Sequence, residues 1–419
     1  MDKFYKIPSV IDKLFNNKVE LLPSVTELFE LELAYLEYKA LLENEYLERT
    51  AYAKSFKGKD SLHLLRYSKI PEEVSKNRTS TANSYFKHGL FSTGYATHSL
   101  FPYRGKFHPQ LIKGLINILG IKKGETILDP MAGSGTTNIE ASLLGINSYA
   151  IDISPFCQMM TKTKYDSLKI DLGLLNKLEL DADKLFKYFG QKNILQKIRK
   201  IEKGKKEIYE LSLLAYLDAL GYSKRVVRSN HEQLFNKVLN RYLETVKSLL
   251  TNKYFNNKEL GKVEILQNSD ALNIELNDNS LDGIITSPPY SFAIDYVEND
   301  KDQLEYLGYD TKQLKEKLIG LKGKSKSEKL ENYFNDMDKF LNEAARVLKQ
   351  NKFLVIIIGS NTNQTGGIRL EQRVINSAKK YGLNLVKSIL KPIKGMRNTM
   401  KEEYILIFEK NKYEKNNRR

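Results

Sequence analysis

Ser287-Pro288-Pro289-Tyr290 follows the apolar run LDGIIT (281–286), where a buried strand would end. Proline gives no amide hydrogen and does not continue a central strand, so the pair must stop it. Two prolines in a row also fix φ and hold the backbone in one extended shape. The Pro288 carbonyl and the Ser287 hydroxyl can then stand as fixed acceptors, with the flat face of Tyr290 beside them. Acceptors next to an aromatic face suit a planar base bearing an amine. Held through its two N–H bonds, that nitrogen would turn its lone pair toward an electrophile, and no nucleophilic side chain is needed. Positioning and charge stabilisation would supply most of the rate. Two plainer readings compete: a proline-rich docking peptide, which the apolar strand before it would bury, and a rigid turn of structural value alone.

A second constellation is LDPMAGSGTT (128–137). Gly133 and Gly135 allow a tight turn that brings backbone close to a ligand. The helix after them would present free amides to an anionic group. Asp152 ends the next strand, 17 positions after Gly135 (152 − 135), and an acid there suits the two hydroxyls of a ribose. Alone, the loop would serve a nicotinamide cofactor equally well. Asp270, after a third strand, either accepts from the exocyclic amine of an adenine or caps a turn.

These residues need a sheet to place them. From Glu125 onward, short apolar runs alternate with helical patterns, as in an α/β sheet. Strands are expected at ETILD (125–129), SYAIDI (148–153), KVEILQN (262–268), LDGIITS (281–287), KFLVIIIG (352–359), LNLVKSIL (383–390) and EEYILIF (402–408). Helices are expected at 136–144, stopped by Gly145, at 330–349 and at 369–382. The alternation breaks off near residue 160 and resumes at Lys262. The block between is polar, lysine-rich and helical in pattern, and the first ninety residues also look helical. In open sheets of this kind ligands bind beyond the carboxyl ends of the strands, where the unusual residues fall.

The 419 residues are 41% hydrophobic, enough for more than one core, and carry a net charge of +16. Such a charge fits a nucleic-acid partner, or simply a lysine-rich soluble surface. Cys157 is the single cysteine; it excludes an internal disulfide and fits a reducing cytoplasm. No signal peptide is expected at the start, and FLVIIIG is too short to span a bilayer. Five scattered histidines and one cysteine give no metal-ligand spacing.

Taken together, DPMAGSGTT, Asp152, Asp270 and TSPPY resemble the S-adenosylmethionine-dependent DNA amino-methyltransferases. In that family the Ser-Pro-Pro-Tyr form is typical of enzymes acting on cytosine N4, the Asp-Pro-Pro-Tyr form of those acting on adenine N6. HSLFPYRGKFHPQLIKGLI (98–116) looks like the family segment that precedes the glycine loop and helps hold the methionine part of the cofactor. The resemblance covers roughly residues 95–160 and 262–410. It implies a Rossmann-like methyltransferase sheet, mostly parallel and seven-stranded, with a helical N-terminal arm (1–92) and a helical insertion (161–261). The catalytic domain would then comprise 93–160 and 262–411, followed by a basic tail, 412–419.

Carried over residue by residue, S-adenosyl-L-methionine would be held by Lys106, Phe107, His108, Pro109, Asp129, Pro130, Ala132, Gly133, Ser134, Gly135, Thr136, Asp152, Ile153, Asp270 and Ala271. Ser287, Pro288, Pro289 and Tyr290 would hold the target base, flipped out of double-stranded DNA. The insertion is where target recognition would sit. Lys197, Arg199, Lys200, Arg225 and Arg228 are its candidates for DNA contact, with Lys394 and Arg397 beyond it; LKEKLIGLKGKSKSEK (314–329) is a further basic segment. The implied setting is a prokaryotic cytoplasm and a restriction-modification or related defence system, which allows a cognate restriction endonuclease as partner. Adenine N6 in DNA, or a guanine exocyclic amine in RNA, are the alternative targets. A cytosine-C5 mechanism would need a cysteine nucleophile, and Cys157 lies beside the cofactor acid instead of the base element.

Overall fold

The structure is a computed structural model that describes residues 7–67, 94–103, 105–178, 181–225, 230–289, 295–359, 365, 367–393 and 402–411. The chain forms two compact units, one of residues 1–122, 139–144 and 163–260, the other of 123–138, 145–162 and 261–419.

The second unit is built on one seven-stranded sheet: β1 (Thr126–Asp129), β2 (Asn147–Ala150), β3 (Val263–Ile265), β4 (Leu281–Thr286), β5 (Leu348–Gly359), β6 (Leu383–Pro392) and β7 (Glu402–Lys410). The strand order is β3-β2-β1-β4-β5-β7-β6. The first five are parallel, and β7 runs antiparallel between β5 and β6. All six residues of β4 are buried, as expected of a strand covered on both faces, and its one charged residue, Asp282, is paired with Lys349 at 2.7 Å. The helix Lys326–Val347 buries Tyr333, Met337, Phe340, Leu341 and Ala344 on one stripe, at the spacing of a core-facing helix. They join Leu128, Ile284, Leu354, Ile356 and Phe408 in one core. Ser325 fixes the start of that helix by accepting the Glu328 amide at 3.1 Å.

Two boundaries differ from the sequence reading for identifiable reasons. β2 stops at Ala150, short of Ile153, because the Asp152 side chain takes nearby amides and turns the chain. β5 begins at Leu348, within the stretch read as helix.

In the first unit, the arm and the insertion pack together. Arg66 Nε donates to the Tyr254 carbonyl at 2.7 Å, and just beyond the arm the Phe101 amide donates to Tyr242 Oη of the insertion at 2.6 Å. The insertion is helical, dominated by Lys205–Arg225 and His231–Leu250. The arm adds to its helices a small antiparallel sheet of Val19–Leu21, Ala53–Phe56 and Lys59–Asp60. Strands of two to four residues are too short to leave a period in the sequence. Among the described residues no helix is long and apolar enough to cross a membrane, and no cluster of three or more His, Cys, Asp or Glu could hold a metal ion.

Candidate cofactor and base site

β1 and β4 are parallel neighbours, with Leu128 opposite Ile284. Their carboxyl ends therefore release the glycine loop and the Ser287-Pro288-Pro289 segment side by side. β2, carrying Asp152 just beyond its end, lies on the other side of β1. Such a point, where successive strands leave in opposite directions, is the usual ligand crevice of an open α/β sheet.

Asp129 closes β1 and is fully buried. Its Oδ1 accepts from Thr286 Oγ1 at 2.8 Å and from the Met131 amide at 3.2 Å. Its Oδ2 is buried and makes no hydrogen bond of good geometry among the described residues, although the buried Thr137 hydroxyl lies close enough to help hold its charge. Burial pushes the carboxyl up to about 6, against the pull of its hydrogen bonds. A buried carboxylate oxygen of this kind would hold a cationic N–H donor strongly.

The loop that follows is tied on both sides. The Ala132 amide donates to the Ile151 carbonyl at 2.9 Å, and the Gly135 amide to the Ala132 carbonyl at 2.8 Å. Gly135 has φ of +76°, and a Cβ there would lie 2.6 Å from Thr161, so any side chain would force the loop away from the helix Pro155–Ser167. Ser134 and Thr136 are buried, with their hydroxyls 3.3 Å apart, and Thr136 opens the helix Thr136–Leu143.

Asp152 is half-buried. Its Oδ2 accepts the Gly133 amide at 2.7 Å and its Oδ1 the Ser154 amide at 2.8 Å. Burial raises its carboxyl to about 6, the two amides pulling the other way. The acid thus braces the glycine loop itself, a role the spacing alone did not reveal. Ile153 is half-buried beside it. Asp270 is exposed; its Oδ1 accepts the Leu272 amide at 2.6 Å, capping a turn, while Ala271 is buried.

Ser287 and Pro289 are half-buried and Pro288 is buried directly after β4. Tyr290 lies outside the described residues, as do Arg228, Lys394 and Arg397. Cys157 is buried in the helix Pro155–Ser167, its amide 3.4 Å from Ser154 Oγ.

In the first unit, Lys106 Nζ donates to the His98 carbonyl at 3.0 Å, and burial lowers its ammonium to about 8. Phe107 and His108 are half-buried; His108 is the N-cap of the helix Pro109–Ile118, which Pro109 opens. The segment is anchored by a buried pair that sequence reasoning missed, His98 Nε2 to Glu140 Oε1 at 2.6 Å. Lys197, Arg199 and Lys200 are exposed on and after the helix Ile194–Arg199, and Arg225 ends the helix Lys205–Arg225.

A sheet of this order, with acids and a glycine loop at the carboxyl ends of its first two strands, defines a Rossmann-like methyltransferase that uses S-adenosyl-L-methionine. The family described as DNA methylase, of N6/N4 type, matches residues 29–162 and 281–419, and a methyltransferase domain described as RMKL-like matches residues 99–313. The chain belongs to the N6/N4 DNA methylase family. The type II methyltransferase M.BsoBI of Geobacillus stearothermophilus is 28% identical over 333 residues, 65% of this chain and 64% of its own length. The chain therefore spans a little under two thirds of that relative. The type II methyltransferase M.MvaI of Kocuria varians is 22% identical over 422 residues, 80% of this chain and 91% of its own. A tRNA (guanine(10)-N2)-dimethyltransferase of Methanothermobacter thermautotrophicus is 42% identical over 53 residues, 13% of this chain and 16% of its own.

Proposed function

We propose that this chain transfers a methyl group from S-adenosyl-L-methionine to the N4 amine of a cytosine flipped out of double-stranded DNA. The reaction would be site-specific and belong to a restriction-modification or related defence system. The observation that carries the reading is the hydrogen bond from Thr286 Oγ1 to Asp129 Oδ1. It ties the strand that delivers Ser287-Pro288-Pro289 to the acid that opens the glycine loop, so an element suited to a base adjoins one suited to the cofactor. Serine at 287, where the adenine enzymes resembled here carry aspartate, favours cytosine.

The residues present fit the cofactor. Asp129 Oδ2, buried and without a hydrogen bond of good geometry among the described residues, would accept from the ammonium of its methionine part. Each Asp152 oxygen takes one amide and retains a second lone pair for a ribose hydroxyl. The loop from Ala132 to Thr136 would pass close to it, and Asp270 and Ala271 would meet the adenine. Bound there, the cofactor supplies an electrophilic methyl group on a sulfonium centre.

The Pro288 carbonyl and Ser287 hydroxyl would accept the two N–H bonds of the cytosine amine and aim its lone pair. As nitrogen takes the methyl group, the methyl–sulfur bond would break to leave a neutral thioether and the nitrogen would become cationic; the same two acceptors would hold that charge, and the proton shed would pass by the Ser287 hydroxyl to water. Tyr290 would stack on the base, worth roughly 1–3 kcal/mol, offsetting part of the few kcal/mol, roughly, of unstacking. Lys197, Arg199, Lys200 and Arg225, with Arg228, Lys394 and Arg397, would contact DNA.

The local likeness to a tRNA guanine methyltransferase favours one second reading, an exocyclic guanine amine in RNA. Tritium from methyl-labelled S-adenosylmethionine separates the two. It should enter genomic DNA and be released by DNase; label that enters tRNA and resists DNase overturns the DNA reading.

A further inference from the structure

A basic segment in the second unit, running from the helix Thr311–Lys317 into the first turn of the helix Lys326–Val347, has no part in the chemistry above. Residues 311–329 hold seven lysines and two glutamates, a net +5 (7 − 2). Lys315 pairs with Asp295 at 2.9 Å and Glu298 at 2.6 Å, and Lys322 with Asp336 at 2.8 Å. Lys312, Lys317, Lys324, Lys326 and Lys329 make no ion pair among the described residues; the first four are exposed and Lys329 is half-exposed.

Of these five, Lys329 lines a cleft of about 420 Å³, whose wall also holds Lys315, Lys322 and Gly323 with the acids Asp295 and Glu316. The wall is shaped, not a loose tail. Gly323 has φ of +122°, and a Cβ there would lie 3.0 Å from the Lys329 amide, so the loop doubles back tightly on the helix. The Lys324 amide donates to Glu328 Oε2 at 2.8 Å and Ser325 accepts the Glu328 amide, which fixes the backbone where the turn enters the helix.

Asp295, also in the wall, stands six residues after Pro289 (295 − 289). An extended chain spans at most about 3.5 Å per residue, so the cleft begins within about 21 Å of the base element. At 3.4 Å of axis per nucleotide that is within about six base pairs of the target.

We infer that the turn at 320–325 and the first turn of the helix Lys326–Val347 grip the DNA backbone beside the target cytosine, with Lys324, Lys326 and Lys329 on phosphates. The inference rests on the DNA reading proposed above. Its contacts carry no base information, so they set affinity and register while the choice of site is made elsewhere.

The test is a Lys324→Gln, Lys326→Gln, Lys329→Gln triple variant of the full chain. Cofactor affinity by calorimetry should stay within about twofold of the parent, showing an intact sheet. Binding to unrelated duplexes should weaken together. The plot of log affinity against log salt should flatten by about 0.9 for each phosphate no longer neutralised, nearly three in all. A Lys→Arg triple should restore the parent slope. If the glutamine triple loses the cofactor, the three single variants carry the test at about 0.9 each. A parent that binds duplex with a variant of unchanged slope overturns this surface alone. A parent that binds no duplex overturns the DNA reading and this surface with it.

Discussion

Asp152→Ala separates bracing from binding at the cofactor loop. The carboxyl is raised from the ordinary 3.8 to about 6 by burial, so the folded chain disfavours its charged form. That cost is absent below pH 3.8, builds up to about pH 6 and is complete above it. At 1.36 kcal/mol per pH unit it amounts to about 3 kcal/mol, which alanine removes. Against this, the Gly133 and Ser154 amides lose their acceptor, at about 1–3 kcal/mol each. The two effects largely offset, so folding stability at pH 7.5 should fall by no more than about 3 kcal/mol. Cofactor affinity should drop further than that mild change implies: removing a charged hydrogen bond of about 1.5–3 kcal/mol is a 10- to 150-fold weakening, roughly. Calorimetric titration with S-adenosylhomocysteine and its 2′-deoxy analogue gives the coupling. The parent should discriminate between them, and the variant should not. A variant that binds as tightly as the parent, or weakly but with undiminished discrimination, refutes the ribose assignment.

Cofactor affinity should weaken as pH falls through about 6, because Asp129 and Asp152 must both be anions and both sit near that value. The plot of log Kd against pH should approach a slope of two on the acid side; a flat titration from pH 5 to 8 contradicts it. Folding stability of the free chain should move the opposite way, rising as the two buried acids take up protons. Thr286→Val removes a 2.8 Å donor from buried Asp129. It should cost about 1.5–3 kcal/mol in denaturant unfolding and shift the acid limb of cofactor binding to higher pH; unchanged stability and an unmoved limb would show the bond to be idle. Cys157→Ser should retain methylation, since the thiol is 1% exposed within a helix. A folded but inactive variant revives a covalent cytosine mechanism.

The sheet was readable because each strand is a short apolar run between helical patterns, with LDGIIT and KFLVIIIG the plainest. Its order was not: nothing local in LNLVKSIL or EEYILIF states that the last strand inserts between β5 and β6. The glycine loop and Asp152 stood out by type and spacing. The hydrogen bonds that make them a unit did not, because they join distant positions. Thr286 lies 157 residues from Asp129 and His98 42 from Glu140, and no periodicity connects such pairs. Thr286 had one visible cue, a hydroxyl at the last position of a buried strand, where a polar group needs a partner. Gly135 could be read as a turn residue, but not as the point where the loop meets Thr161.

The central claim concerns one atom, the N4 nitrogen of cytosine. The chain should be incubated with genomic DNA and S-adenosylmethionine carrying a trideuterated methyl group, and the DNA digested to nucleosides for mass spectrometry. The label is predicted in N4-methylcytosine alone. Label in N6-methyladenine or 5-methylcytosine would contradict the assignment of Ser287-Pro288-Pro289-Tyr290 to a cytosine amine.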